Sequence, residues 1–229
     1  MRLKGILCDF NGTLFFDSDL HMKAFRRIYE NYGKPVPTDE FMIQKFFGRT
    51  NETIYLENFD SNASREDIVK FTDMKENAYR DLCLEHSDDL RLVDGATELL
   101  DNIKESGIPF CLATGSDFEN VKFYIKHLGI DRWFSEDNMV YANGKFKGKP
   151  HPDIYQIAAN KIGLAPSECL VFEDGTSGIL AANAAEAGAV TVVYESKFPS
   201  PLTEETHINE IYHDFKEWKN ILAKYGLMR

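Results

Sequence analysis

Five polar side chains that suit metal and phosphate chemistry stand at the ends of apolar segments or just before a helix. Asp9, Thr114, Glu173 and Asp174 each end or follow a short apolar run, and Lys149 precedes a helical pattern. Carboxylates supply the oxygen ligands that Mg²⁺ prefers, and a carboxylate can also accept a phosphoryl group covalently. A hydroxyl and a lysine can bind the remaining phosphate oxygens. Gathered in one place, these groups could therefore hold Mg²⁺ and a phosphate.

Glycines lie beside several of these residues. Gly12 lies in the turn after the first apolar run, and Gly115 and Ser116 lie in the turn after the second. Successive backbone N–H groups in such turns can form a concave site for an anion. We therefore expect the backbone after Gly12 and Gly115 to help to bind a phosphate.

Short apolar strands and amphipathic helices alternate along the chain, and these elements must position the polar residues. We predict strands at residues 4–9, 108–113, 169–172, 189–194 and 211–213, and helices at residues 96–106, 117–128, 152–162 and 176–187. Residues 138–148, which contain an Asn-Gly pair, predict a β-hairpin or a flap. Helices between parallel strands imply right-handed crossovers, so the fold class is α/β with a doubly wound parallel sheet. Ligands bind such sheets at the carboxyl ends of the strands, where the polar residues should meet.

One long connection interrupts this alternation. Residues 15–90 contain no convincing strand, but they show helical patterns at 19–32, 39–47, 52–59 and 65–86. A structureless loop of that length is improbable in a compact domain. We therefore expect an α-helical cap domain of residues 15–90, inserted into a core domain of residues 1–14 and 91–229.

The composition excludes several classes of partner. The chain has 26 Lys and Arg against 37 Asp and Glu, a net charge of −11, which argues against binding to nucleic acid or to anionic lipid. No apolar run approaches the length of a membrane span, and the first residues do not resemble a signal peptide. The four cysteines form no C-x-x-C pair. We therefore expect a cytoplasmic protein with reduced thiols that binds neither nucleic acid nor membranes.

Four motifs occur in a fixed order along the chain, at residues 9–14, 112–115, 148–152 and 172–179. Together they resemble the four motifs of the haloacid dehalogenase (HAD) superfamily. The alanines and glycine that follow the last motif are similar to those of the branch containing beta-phosphoglucomutases and sugar-phosphate phosphatases. The resemblance spans residues 4 to 195 and implies a Rossmann-like HAD core with a helical cap.

The resemblance also implies a set of metal ligands. Asp9 would be both the nucleophile and a ligand of the cofactor, Mg²⁺. The backbone carbonyl of Asn11 would be a second ligand and Asp174 a third. Glu173 would bind the ion directly or through water.

Other residues would bind the substrate. By the same resemblance, Thr114 would bind the transferring phosphoryl group and Lys149 would neutralise charge on the nucleophile and the phosphate. In the cap, His21 could contact substrate or help to move a proton, and its alternative is a solvent-bonded histidine on a helix face. Arg49 could anchor a second anionic group, and its alternative is an exposed surface arginine.

The sequence departs from the family pattern at Asn11. Phosphatases and mutases of this family carry Asp at that position, and its carboxyl exchanges protons with the leaving oxygen and the attacking water. An amide cannot do this, and positioned acid–base groups contribute about 10²–10⁴-fold to a rate. The loss of this carboxyl should lower the rate of a mutase most.

Three functions therefore stay open. The first is a Mg²⁺-dependent phosphomonoesterase, weakened at Asn11, that forms an aspartyl phosphate from a small phosphometabolite such as a sugar phosphate. The second is a nearly inactive protein that binds or senses phosphometabolites. The third is a beta-phosphoglucomutase-like or phosphonatase-like reaction on the same fold. In each case the partner is a small phosphorylated metabolite, and we expect a monomer or weak homodimer.

Overall fold

The computed structural model describes residues 2–199 and 202–228. The chain forms two compact units. One consists of the residues up to Phe16 together with those from Arg91 onward, and the other consists of Asp17–Leu90. These boundaries lie within two residues of those expected from the sequence.

The first unit is built on a six-stranded sheet. Its strands are β1 (Gly5–Cys8), β2 (Phe110–Ala113), β3 (Met139–Val140), β4 (Cys169–Glu173), β5 (Ala189–Val193) and β6 (Glu210–Tyr212). They lie in the order β3-β2-β1-β4-β5-β6 and all pairs are parallel. The α/β fold with a doubly wound parallel sheet is thus confirmed. The strand order reverses between β1 and β4, and such a reversal opens a crevice at the carboxyl ends of the strands.

The second unit is helical. It contains α1 (Ser18–Asn31), α2 (Asp39–Lys45), α3 (Asn51–Asn58) and α4 (Arg65–Glu85). The side chains of Thr38, Thr50 and Ser64 accept hydrogen bonds from backbone N–H groups three residues later, which explains where α2, α3 and α4 begin. The apolar stripe of α1 is buried, and α1 packs on α4. The four helical segments predicted between residues 19 and 86 are present.

Among the residues that the structure describes, five α-helices belong to the first unit: four lie between its strands and one follows the last strand. They are α5 (Ala96–Glu105), α6 (Phe118–Leu128), α7 (Asp153–Lys161), α8 (Thr176–Ala184) and α9 (Trp218–Lys224). The strands β1, β2, β4 and β5 are buried throughout, as expected for a sheet covered on both faces. Every helix in the described part of the chain is too short or too polar to cross a membrane.

The predicted β-hairpin at residues 138–148 is wrong. Met139 and Val140 instead form β3, which extends the sheet in parallel beside β2. Both side chains are buried, so burial at the sheet edge determines their pairing. The residues after the Asn-Gly pair include exposed lysines and form no returning strand.

Candidate active site

Three carboxylates converge at the carboxyl ends of β1 and β4. Cys8 at the end of β1 pairs with Phe172 in β4, so Asp9, Glu173 and Asp174 leave the sheet at the same level. One carboxylate oxygen from each lies within 4.8 Å of the others. Asp9 is 6% exposed and Glu173 is 2% exposed. The predicted acidic residues therefore form one largely buried cluster.

Lys149 reaches this cluster from the loop before α7. Its Nζ donates to Oδ1 of Asp9 over 2.6 Å and to Oε1 of Glu173 over 2.5 Å. The lysine side chain is only 13% exposed. A lysine before proline is commonly exposed to solvent, but Lys149 is part of the buried acidic cluster.

Glu173 is held from several sides. Besides Lys149, the hydroxyl of Tyr155 donates to its Oε1 over 2.9 Å, and the backbone N–H groups of Asp174 and Gly175 donate to its Oε2. Burial and the charge of Glu173 raise the pKa of Tyr155 well above its usual range, so this hydroxyl stays a donor. A Cβ at Gly178 would lie 1.5 Å from Oε1 of Glu173. Only glycine fits at that position of α8.

The charges of the site do not balance. Burial raises the pKa of Asp9 to about 7, and burial with the charges of Glu173 and Asp9 raises the pKa of Asp174 well above its usual range. Burial opposes the charged form of Lys149, but Asp9 and Glu173 outweigh it, so the pKa of Lys149 lies above its usual range. Three carboxylates facing one lysine need further positive charge to ionise together. Their hard oxygen donors fit a divalent cation such as Mg²⁺.

The side chain of Asn11 belongs to a second group of polar side chains. Its Nδ2 donates to the hydroxyl of Tyr124 over 2.7 Å, and its Oδ1 accepts from Ser116 over 2.7 Å and from Thr114 over 3.4 Å. Thr114 also accepts from the backbone N–H of Ser116 over 3.0 Å. Three predicted site residues thus meet, and two of them, Asn11 and Ser116, also contact a tyrosine that the sequence had not indicated.

The turn at Gly12 is closed by backbone hydrogen bonds. The N–H of Gly12 donates to the carbonyl of Phe15 over 2.7 Å, and the N–H of Thr13 donates to the carbonyl of Phe10. These two hydrogen bonds close the turn. Gly12 is required, since its φ is +78° and a Cβ would lie 2.1 Å from Oδ2 of Asp174. A Cβ at Gly115, by contrast, meets no atom within 4 Å.

His21 lies in the helical unit, in a cluster of its own. Its Nε2 lies 3.3 Å from Oδ2 of Asp17, its Nδ1 lies 2.7 Å from Nζ of Lys75, and its ring stacks on Tyr79 with centroids 4.0 Å apart. Lys75 is only 4% exposed. The alternative of a histidine bonded only to solvent therefore does not describe it.

Arg49 is also in the helical unit, and it is already paired. Its guanidinium makes a two-pronged ion pair with the carboxylate of Glu57, with one N–O distance of 2.7 Å. Its side chain is 33% exposed. Arg49 would have to exchange Glu57 for any substrate anion.

The chain belongs to the haloacid dehalogenase-like hydrolase family, whose family model matches residues 3–186. The resemblance drawn from the four motifs is thus confirmed.

The chain is also similar to individual proteins and solved structures. The chain is similar to the crystal structure of a HAD hydrolase, family IA, variant 3, from Entamoeba histolytica, with 35% identity, a TM-score of 0.81, and coverage of 99% of this chain and 98% of that one. A beta-phosphoglucomutase from Clostridium difficile is 25% identical, with a TM-score of 0.79 and 97% of each chain covered. A fructose-1-phosphate phosphatase of Escherichia coli is 29% identical over 83% of this chain and 97% of the relative.

Proposed function

We propose that this protein is a Mg²⁺-dependent phosphomonoesterase that hydrolyses small phosphorylated metabolites such as sugar phosphates. The observation that carries the proposal is the buried cluster of Asp9, Glu173 and Asp174 around Lys149. Membership of a hydrolase family and similarity to a fructose-1-phosphate phosphatase support it. The four buried cysteines, all in the thiol form, support a cytoplasmic location.

The reaction has two halves. A carboxylate oxygen of Asp9 bonds to phosphorus while the bond from phosphorus to the leaving oxygen breaks, and the leaving oxygen takes a proton to become an alcohol. The resulting aspartyl phosphate is then attacked by water at phosphorus. The bond to Asp9 breaks, water loses a proton, and inorganic phosphate leaves.

The residues of the chain position this chemistry. Lys149 fixes one oxygen of Asp9 and adds positive charge beside the phosphoryl group. Thr114 would bind the transferring phosphoryl group, as its motif implies, and Ser116 lies beside it and donates its backbone N–H to the threonine hydroxyl. Asp9, Asp174 and the backbone carbonyl of Asn11 would hold Mg²⁺, which would offset the negative charge of the phosphoryl oxygens.

Glu173 would act on the ion through water. Its two oxygens already accept four hydrogen bonds, from Lys149, Tyr155 and two backbone N–H groups. In the helical unit, we propose that His21 and Arg49 contact the part of the substrate that is not transferred.

Asn11 gives the activity a characteristic limit. Because its amide cannot donate a proton to the leaving oxygen, aryl phosphates should react and alkyl phosphates should react slowly. The same residue favours a second candidate function, a protein that binds phosphometabolites with little turnover, because the amide supplies no acidic proton and is held by Tyr124 and Ser116.

Phosphate release separates these candidates. The assay compares p-nitrophenyl phosphate with a hexose 6-phosphate, with Mg²⁺ and with EDTA, for the wild type and Asn11→Asp. A phosphatase releases phosphate from the aryl ester only with Mg²⁺, and Asn11→Asp raises the alkyl rate by about 10²-fold but the aryl rate far less. Binding of phosphate esters without release from either substrate supports the second candidate. Equal aryl and alkyl rates without gain in Asn11→Asp would show that another group donates the proton.

A further inference from the structure

We propose that Tyr124 is a positioning residue of this site, which sets the orientation of the Asn11 amide and, through it, the hydroxyls of Ser116 and Thr114. This inference rests on the proposed function, because it assigns a role within the same phosphoryl-transfer site. It concerns a residue on α6 that belongs to none of the four motifs.

The hydrogen bonds form a closed ring. Asn11 Nδ2 donates to the Tyr124 oxygen over 2.7 Å, Tyr124 and Ser116 share a hydrogen bond of 3.3 Å, and Ser116 donates to Asn11 Oδ1 over 2.7 Å. An amide has one donating end and one accepting end, so the donors and acceptors of this ring of hydrogen bonds follow one another in a single order. With the donating end on Tyr124, the accepting end faces the two hydroxyls.

Tyr124 is rigidly held. Its side chain is fully buried, and its ring packs against Phe10 with centroids 4.5 Å apart and against Phe15 with centroids 6.4 Å apart. A side-chain cap fixes the start of α6, since Asp117 accepts a hydrogen bond from the backbone N–H of Asn120. The hydroxyl oxygen that accepts from Asn11 Nδ2 is therefore held in a fixed position.

Thr114 connects the ring to the transferred group. Its hydroxyl accepts from the backbone N–H of Ser116 and donates to Oδ1 of Asn11. If the amide turned, its donating end would face Thr114 and Ser116, and both hydroxyls would have to redirect their hydrogens. Since Thr114 is proposed to bind the phosphoryl group, the orientation of Asn11 should affect the chemical step.

The test is a double-mutant cycle. Tyr124→Phe keeps the ring packing and removes the acceptor, so kcat for p-nitrophenyl phosphate should fall about 10-fold, the effect of one lost hydrogen bond, while KM changes little. Asn11→Ala should cause a similar loss, and the double variant should lose no more than about twofold beyond Asn11→Ala. If Tyr124→Phe lowers kcat by the same factor in the wild type and in Asn11→Ala, the inference is overturned. Tyr124 would then act by packing alone, which does not depend on the Asn11 amide.

A control and a second readout complete the design. Tyr225→Phe removes another buried tyrosine hydroxyl, which pairs with Thr191, and should leave kcat unchanged.

The second readout is the ¹H–¹⁵N spectrum. The side-chain amide signals that are absent from the spectrum of Asn11→Ala belong to Asn11, and Tyr124→Phe should shift them. Unmoved signals would also overturn the inference. Absence of phosphate release from every variant would instead reject the proposed function and leave the amide spectrum to test the positioning.

Discussion

Gly178→Ala should destabilise the α/β unit, although alanine is the better helix former. Gly178 lies within α8, where helix propensity alone would add about 1 kcal/mol to the free energy of unfolding. The structure predicts the opposite sign. The new Cβ would lie 1.5 Å from Oε1 of Glu173 and 2.0 Å from its Cδ.

The size of the loss follows from what holds Glu173. To reach van der Waals contact with the new Cβ, the carboxylate must retreat by about 2 Å. A movement of that size breaks its hydrogen bonds from Lys149 and Tyr155, which are 2.5 Å and 2.9 Å long. Each hydrogen bond to a charged group contributes about 1.5–3 kcal/mol. After the gain in helix propensity, we expect a net loss of about 2–5 kcal/mol.

Tryptophan fluorescence isolates this effect. Both tryptophans of the chain, Trp133 and Trp218, lie in the α/β unit, so urea unfolding followed by their emission reports on that unit. Gly178→Ala should lower the urea midpoint by about 1–2 M and reduce phosphate release, because Lys149 loses one of its two partners. Gly115→Ala, where a Cβ meets no atom within 4 Å, should keep the midpoint. A Gly178→Ala midpoint at or above that of the wild type would refute the reasoning.

Three further predictions concern other residues of the site. Mg²⁺ should raise the melting temperature, since it binds only the folded site, and Asp174→Ala should abolish that rise; an unchanged response in differential scanning fluorimetry would reject this ligand. Tyr155→Phe removes a hydroxyl donor to Glu173 and should lower the free energy of unfolding by about 1.5–3 kcal/mol in urea titrations, whereas no loss would mean that water replaces the hydroxyl. Arg49→Ala should raise KM for sugar phosphates but not for p-nitrophenyl phosphate, and Glu57→Gln, which frees Arg49, should lower it; equal effects on both substrates would make Arg49 a surface residue.

The acidic cluster was predictable because the apolar runs before its residues and the parallel order of the strands place those residues at the same edge of the sheet. Asp9 and Asp174 each follow a continuous apolar run, and such runs predict buried parallel strands. Parallel strands place their carboxyl ends at one edge, so the convergence of Asp9 with Asp174 needed no knowledge of distances. Lys149 required the resemblance between motifs, because nothing in its own neighbourhood distinguishes it from a surface lysine.

The tyrosines could not be predicted in the same way. Tyr124 and Tyr155 lie on the apolar faces of predicted helices, where an aromatic ring usually serves packing. Their rings do pack in the core, and only the three-dimensional structure shows that the hydroxyls reach Asn11 and Glu173. The strand β3 was missed because its pairing with β2 depends on burial at the sheet edge, whereas the Asn-Gly pair nearby gave a stronger local signal.

The closed turn at Gly12 also bears on the chemical ageing of the protein. In an Asn-Gly pair, the glycine nitrogen can attack the side-chain carbonyl carbon of asparagine, release ammonia and leave a succinimide that water opens to aspartate or isoaspartate. At Asn11, that nitrogen is engaged by Phe15 and the amide is held by Tyr124 and Ser116. The other Asn-Gly pair begins at Asn143, which is exposed. Peptide mapping by mass spectrometry of protein stored at alkaline pH should therefore find deamidation at Asn143 well before Asn11, and the opposite order would show that the turn opens readily. Folding would thus preserve the amide on which the chemistry of this site depends.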